Sequence, residues 1–402
     1  MMNDSTNSLP HQIMGRWNVV QHELIPELGV RCGELTPKLE KLIHVLDWVR
    51  VEEFVDSSWC GIGRPPVERA WLANAFVAKT VLNLPTTVAL IERLMADRSL
   101  RYICGFSAYK KLPSEATFSR AFDEFAKSRL AERSHEALIK ENLGEKLLGH
   151  ISRDGTAIVA RERPRSIEAT QTASTPNDTA VKKQIELLSE SAPDTEVCAT
   201  AAAPKRGRPR HGEERQPAAK ASPLKRQRTQ TLEQMIQEIP ITCDRGTKCN
   251  AQGYKTSWNG YKLHLDTADC GVPISALLSS ASMHDSRAAI PLSRISAQRV
   301  THLYDVMDAA YCSQELREDS RSLGHVPLID HNPRGGEKIE FTPPEAIRYN
   351  ERTVAERSNA RLKDEFGANN VMVKGASKVM NHLMFGVLVL SVDQLMRLRL
   401  RQ

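Results

Sequence analysis

Apolar residues recur at helical spacing through the first third of the chain and give way to short β-branched runs beyond it. From about Pro37 to Leu143 the pattern predicts helices. Pro66 suits a first-turn position, and Trp71, Leu72, Ala75, Phe76, Lys79 and Leu82 follow with a helical period. Leu84-Pro85-Thr86-Thr87 interrupts the pattern, Val88 to Met95 resumes it, and Gly105 marks another turn. Pro113-Ser114-Glu115 then opens a helix that Ser114 can cap, with Phe118, Phe122 and Phe125 on one face. Two short helices around a turn, with Lys110, Lys111 and Arg120 nearby, fit a helix-turn-helix reader of DNA that Arg120 would serve. They also fit an ordinary small helical domain, which the periodicity alone favours.

From Gly149 the texture changes. His150 to Val159 has the look of a strand and carries a carboxylate, Asp154. Residues 165 to about 230 are rich in Ala, Thr, Ser, Pro and charge and nearly lack aromatics, the composition of a disordered insertion. Strand-like runs return at Gly260–Leu265 and Val272–Leu278, and again at His302–Asp308, which ends on another carboxylate. Helical residues 313 to 323, a short strand at His325–Ile329, a polar helix and a final apolar helix follow. The last apolar run, Leu383 to Val392, is too short for a bilayer and ends in Asp393, Arg397 and Arg399, so it reads as a buried helix.

A chain of 402 residues has room for two or three domains. Its net charge of +6 permits a polyanionic partner without requiring one. The eight cysteines include no Cys-x-x-Cys pair, which argues against a zinc knuckle and a disulfide framework and fits a reducing cytoplasm. Cys243 and Cys249 have poor metal spacing and read as plain thiols. The polar start of the chain lacks the apolar core of a signal peptide, so the expected location is the cytoplasm. No glycine-rich phosphate loop points to ATP.

Chemistry concentrates in the polar helix. At about 100° per residue, Tyr349, Arg352, Glu356 and Lys363 fall on one stripe, with Asn359 beside them. Such a face suits gripping a phosphodiester while a carboxylate holds a metal. It equally suits a solvated face stapled by an Arg352–Glu356 ion pair. Asp154, Asp308 and Glu356 stand out by position, yet spacing alone does not single them out of 49 acidic residues. Clustered carboxylates repel unless divalent cations neutralise them, a role that Mg²⁺ suits through its oxygen ligands. Two such ions can stabilise both the attacking and the leaving oxygen of an in-line phosphoryl displacement.

The Tyr349-x2-Arg352-x3-Glu356-x6-Lys363 spacing resembles the motif around the third acid of bacterial insertion-sequence transposases of the DDE type. Ser152–Thr156 through Glu162, Gly260–Asp266, Ser280–Ser286 and Met307–Tyr311 resemble the same group. So do Glu351–Gly367 and, in the helical region, Pro113–Arg120. This resemblance implies an α/β ribonuclease H-like catalytic core, a mixed sheet flanked by helices, with Asp154, Asp308 and Glu356 as catalytic and metal-binding triad. It implies Mg²⁺ (or Mn²⁺), double-stranded DNA as substrate, and a homo-oligomer holding two ends. Tyr349, Arg352 and Lys363 would touch DNA, with Arg352 gripping a phosphate bidentately and Lys363 acting as a point charge. One site would nick a transposon end and then direct the freed 3′-hydroxyl at target DNA. Cys312 departs from the family pattern, which often has aspartate there.

The expected organisation is an all-α N-terminal domain over 1–145 and the first part of the core over 146–164. A basic insertion over 165–243 precedes the rest of the core over 244–402. Within the insertion, Pro204-Lys205-Arg206-Gly207-Arg208-Pro209-Arg210 resembles an AT-hook, whose arginines enter a narrow A·T-rich minor groove. A nonspecific phosphate tether fits those residues as well, joined by Lys220, Lys225, Arg226 and Arg228. His284-Asp285 lacks partners for a metal site and reads as a positioning pair at a strand end. The rival readings are an inactive, transposase-derived DNA-binding or regulatory protein, and a repair or resolving nuclease on the same core.

Overall fold

Strand β1, Leu147–Val159, is long enough to serve two neighbours, and that sets the plan of the sheet. The computed structural model describes residues 18–56, 67–107, 109–164, 222–249, 252–333 and 336–399. The first half of β1 pairs in parallel with β5, Thr301–Met307, ending at Arg153↔Met307. Its second half pairs antiparallel with β3, Lys255–Ala268, through Asp154↔Leu265 and Gly155↔His264. Strands β2, Asp244–Cys249, and β4, Pro273–Ser280, both pair antiparallel with β3, and β6, Val326–Ile329, pairs in parallel with β5. The result is a mixed sheet, antiparallel on one side of β1 and parallel on the other. Gly260 joins the two halves of β3 at φ +151°, and a Cβ there would strike the Ile158 carbonyl of β1. Only glycine fits that approach.

The expected helical region is present as α1 (Ile25–Cys32), α2 (Pro37–Val49), α3 (Arg69–Val81), α4 (Thr87–Ala96), α5 (Arg98–Ile103), α6 (Glu115–Lys127) and α7 (Leu130–Leu143). Phe118, Phe122 and Phe125 of α6 are buried, each burial contributing about 1.5–3 kcal/mol. Ser114 precedes α6 but makes no cap bond to its backbone; its hydroxyl meets that of Thr117. The helix-turn-helix expectation fails here. Cys104 to Ser114 separates α5 from α6, far longer than the tight turn that motif needs.

Helices α8 (Pro223–Gln227) and α9 (Leu232–Glu238) correct the boundary of the insertion. Thr231 and Gln234 form a capping box on α9, and the Gln227 side chain donates to the Arg287 carbonyl at 2.8 Å. Arg226 pairs with Glu238 at 3.2 Å and Arg228 with Glu318 at 2.5 Å. Residues 223–243 therefore belong to the ordered unit, and a few well-placed polar contacts there outweigh a composition poor in aromatics. Arg206, Arg208 and Arg210 lie outside the described residues.

Helix α10 (Ser286–Ala297) packs against β3 and β4, and α11 (Gln314–Ser322) against β6. The striped segment is two helices, not one. Helix α12 (Pro343–Asn350) carries Tyr349, and α13 (Thr353–Asp364) carries Glu356, Asn359 and Lys363. Between them Glu351 and Arg352 bond back three residues to Arg348 and Tyr349, a tighter winding that shifts the stripe. The last helix, α14 (Ala376–Arg399), is long and apolar enough to cross a bilayer, yet 78% of its apolar window is buried in the protein. It packs against α2, α3, α6 and α7 on one side and β4 and α13 on the other. One hydrophobic cluster consequently runs from Leu39 through Phe76 and Phe118 to Leu263 and Leu388. The helical region thus shares its core with the sheet rather than forming a separate domain.

Candidate active site

Asp154 and Asp308 meet because of strand register. The parallel ladder between β1 and β5 closes at Arg153↔Met307, so each strand's next residue is one of the two acids. Asp308 caps a short 3₁₀ turn, Ala309–Tyr311, accepting the Ala310 amide at 3.0 Å. Asp154 accepts a bond from the Asn359 side chain of α13 at 2.8 Å. Burial, then the neighbouring Asp308, raises the Asp154 carboxyl to about 6. Burial also raises Asp308, against the pull of the Ala310 amide and Arg352. Both acids thus carry charge that nearby groups only partly offset.

Glu356 stands in the first turn of α13 with its side chain about half exposed, and accepts from Arg352 at 2.7 Å. Arg352 also lies within electrostatic reach of Asp154 and Asp308. The ion pair that the spacing suggested is therefore real, and the same guanidinium connects the helix to the strand-end acids. Its fork also lies over the Tyr349 ring, 5.8 Å from the centroid. Tyr349 is backed by Phe341, with ring centroids 4.8 Å apart. Lys363 is half-buried, and burial, the ammonium of Lys248 and the carboxylate of Asp154 all act on it. Arg120 is exposed on α6, its guanidinium bonded to the Ala116 carbonyl.

Several residues here escaped sequence reasoning. Lys248 on β2 influences Asp154 and Asp308, although nothing in the spacing of a basic hairpin announces it. Asp285 pairs with Lys262 at 2.9 Å and lies 3.2 Å from where a Cβ on Gly155 would stand. Its charge reaches Asp308 and the fully buried Tyr311, whose hydroxyl has no partner. Tyr311 follows Asp308 by one short turn, which was a usable signal. His284 is exposed and bonds Ser286, so the positioning role expected of the pair falls to Asp285.

His302, Asp305 and His325 also converge, with ring nitrogens 3.1 Å from either oxygen of the buried Asp305. That carboxylate already accepts Ser320 at 2.6 Å and has the Arg153 guanidinium 3.8 Å away. Arg153 supplies the positive charge a metal would bring, so these residues serve the interior of the sheet. Cys243 and Cys249 are free thiols, one buried and one exposed.

Residues 31–124 match a family model described as "Transposase domain (DUF772)", and residues 221–392 match one described as "Transposase DDE domain". Together they cover well over half of the chain. Asp308 and Glu356 fall within the second match, whereas β1 and Asp154 lie outside both. No curated protein and no solved structure gave a match.

Proposed function

The chain belongs to the DDE-type transposases of insertion sequences, and from that premise we propose that it cleaves DNA at element ends and joins them to target DNA. The DDE domain implies a ribonuclease H-like core, in keeping with the mixed sheet flanked by helices. The observation that carries the reading is the juxtaposition of Asp154 and Asp308 at the end of one parallel ladder. Glu356, now paired with Arg352, would complete the triad as a third carboxylate available to a metal ion.

The residues fit a divalent cation. Two crowded carboxylates with raised pKa values, and a buried amide oxygen on Asn359 with no partner, form an oxygen-rich, electron-rich setting. Asp154, Asp308 and Glu356 would hold Mg²⁺ (or Mn²⁺), which supplies charge compensation and Lewis acidity toward the scissile phosphate. The first step adds a water oxygen to phosphorus and breaks the bond to the 3′-oxygen, which leaves with its electron pair and takes up a proton. In the second, that 3′-hydroxyl replaces water and gives up its proton as its oxygen bonds to the phosphorus of a target phosphodiester. The bond to the target 3′-oxygen breaks, so the element end is joined to the target 5′-phosphate, and the target 3′-oxygen leaves with its electron pair and takes up a proton.

Arg352, Lys363 and Lys248 flank the acids and are suited to hold non-bridging phosphate oxygens through both steps. Asn359 fixes the Asp154 rotamer. Tyr349 presents an aromatic face beside Arg352 for a terminal base. Arg206, Arg208 and Arg210 add a salt-sensitive grip on DNA, and two copies of the chain hold the two ends. The test is strand cleavage on DNA carrying the gene's own flanks, with Mg²⁺, comparing the native chain with Asp308→Asn. Boundary nicks by the native chain alone support the assignment. Binding without cleavage by either protein would favour the inactive DNA-binding reading.

A further inference from the structure

A cavity of about 250 Å³ lies between α3, α6, α14 and the segment before α14. Its apolar wall is Phe76, Phe122 and Phe385, whose rings sit 4.9 to 6.4 Å apart. Its charged lining includes Lys79, Lys374 and Lys378. Lys378 has a carboxylate partner, Asp123, at 3.0 Å. Lys79 has none among the described residues, although it is only 9% exposed.

A buried ammonium without a counter-ion is costly, and such groups are ordinarily paired. Burial alone pulls Lys79 down to about 8, so it still carries charge near neutrality. The neighbouring His382 offers no compensation: burial, then Lys79 itself, holds its imidazole down at about 4. Glu115 also lines the cavity but makes no ion pair with Lys79. A cation left open beside an aromatic wall, with a carboxylate able to accept from an amino group, matches one nucleotide: a phosphate, a base face and a hydrogen-bond donor. The cavity falls below the roughly 300–1,000 Å³ of drug-sized sites, too small for a duplex.

Its position ties it to the active site. Asn83, just beyond α3, donates to the Asp364 carbonyl at 2.9 Å, and His382 bonds the Gly367 carbonyl at 3.0 Å. The first carbonyl is that of the last residue of α13, the helix that carries Glu356, and the second lies three residues beyond it. From Glu356 to Asp364 that helix rises about 12 Å, a distance that a few nucleotides of DNA span. We propose that this cavity takes a single nucleotide unit of the bound DNA, its phosphate on Lys79 and Lys374 and its base against the phenylalanines. The proposal rests on the transposase reading for the source of the nucleotide, not for the existence of the site.

The test compares the native full-length chain with Lys79→Met and, because Lys374 is exposed and its change does not threaten folding, Lys374→Gln. Thermal unfolding is read without DNA, and affinity by anisotropy on a labelled duplex carrying the gene's flanks. Lys79→Met is expected to raise Tm while weakening DNA binding about tenfold, with Lys374→Gln weakening it several-fold. Unchanged affinity together with a lowered Tm for Lys79→Met would make the lysine structural and overturn the proposal. A third arm adds free dAMP at millimolar concentration. Stabilisation of the native chain but not of Lys79→Met, with DNA affinity unaltered, would keep the site and overturn its assignment to DNA. If the native chain binds no DNA at all, the transposase reading fails first, and the dAMP arm alone decides whether the cavity takes a nucleotide.

Discussion

Arg153 and Asp154 are consecutive on β1 and point to opposite faces of the sheet, and the two faces treat carboxylates in opposite ways. On the Arg153 face, Asp266 takes two bonds from the guanidinium, at 2.7 and 2.8 Å, and one from Ser296 at 2.6 Å. Asp305 is bonded by His302, His325 and Ser320, and those donors with Arg153 hold its carboxyl well below the ordinary range despite complete burial. On the Asp154 face, burial and then the neighbouring Asp308 outweigh the single Asn359 amide bond and raise the carboxyl to about 6. Burial is common to both faces. Among the described residues, a guanidinium bonded directly to a strand acid is found only on the Arg153 face, whereas Arg352 and Lys248 act on Asp154 and Asp308 through space and offset them only in part. A carboxylate compensated from within holds the sheet together, whereas one left crowded keeps its capacity for a cation from outside.

The sharpest way to break this contrast is Asp308→Asn. On the proposed role of Asp308 as a metal ligand, its loss should cut strand cleavage by on the order of 10³-fold or more, while the metal-free protein gains stability because Asp154 loses a repelling neighbour. Gel-resolved cleavage and thermal unfolding read the two effects. A variant that still cleaves at the native rate would remove Asp308 from the triad.

On the other face, Arg153→Met strands Asp266 and Asp305 as buried charges without their guanidinium, and should cost about 3–5 kcal/mol. Urea unfolding measures it. A loss below about 1 kcal/mol would show that the histidines and serines carry the face without Arg153. Here the limits of the sequence are plain. The strand carrying Arg153-Asp154 is legible from its β-branched texture, and Asp308 from its place at a strand end. That the neighbouring positions serve opposite purposes depends on Asp266, Asp305 and Ser296, which reach β1 only after distant strands and α10 fold beside it. Asn359 was legible by phase on its helix, but Lys248 was not, because it arrives on β2, a strand that neither charge pattern nor apolar periodicity announces. The kink at Glu351 and Arg352 involves no glycine or proline and leaves no mark in the sequence. The shared core was hidden for a related reason: α14 is apolar on all sides because two different regions pack against it, and periodicity cannot name either partner.

Titration sets the faces against each other. Asp154 binds its proton more tightly folded, near 6, than unfolded, near 3.8. Between those values the native state holds more protons, so stability falls as pH rises through the window, by about 2–3 kcal/mol in all. Asp308 adds to the same trend. Asp305 works the other way, since its folded pKa is depressed: its contribution is present above the unfolded value and is lost as pH falls through the folded one. Burial also holds the imidazoles of His135, His264 and His382 down at about 3 to 4, which removes stability as pH falls below 6.5. The contribution of Asp154 is therefore read as a difference: in urea without metal, the native chain's stability relative to Asp154→Asn is expected to be greater at pH 4.5 than at pH 7. Excess Mg²⁺ should restore stability at pH 7 in the native chain and do nothing for Asp308→Asn. A difference between the native chain and Asp154→Asn that does not fall from pH 4.5 to 7 would mean that the acids on the Asp154 face are compensated after all.

The smallest effect concerns basic charge rather than acidic. Arg226 and Arg228 looked like part of a loose basic tract, yet they are paired with Glu238 and Glu318 and help seat α8 and α9. The segment carrying Arg206, Arg208 and Arg210 can be removed without touching those pairs, provided the deletion stops before Pro223. Each phosphate neutralised on duplex DNA contributes about 0.9 to the slope of log affinity against log salt, so losing three arginines should flatten it by up to about 3 units. Affinity at moderate salt should fall about tenfold, with cleavage of saturated DNA unchanged. Deleting residues 206–210, which removes those three arginines and no other charge, and measuring anisotropy across a salt series separates the outcomes. An unchanged slope would mean that these arginines make no DNA contact. An equal loss on A·T-rich and G·C-rich duplexes would favour a phosphate tether, whereas a loss confined to A·T-rich DNA would favour minor-groove reading by the Arg-Gly-Arg core.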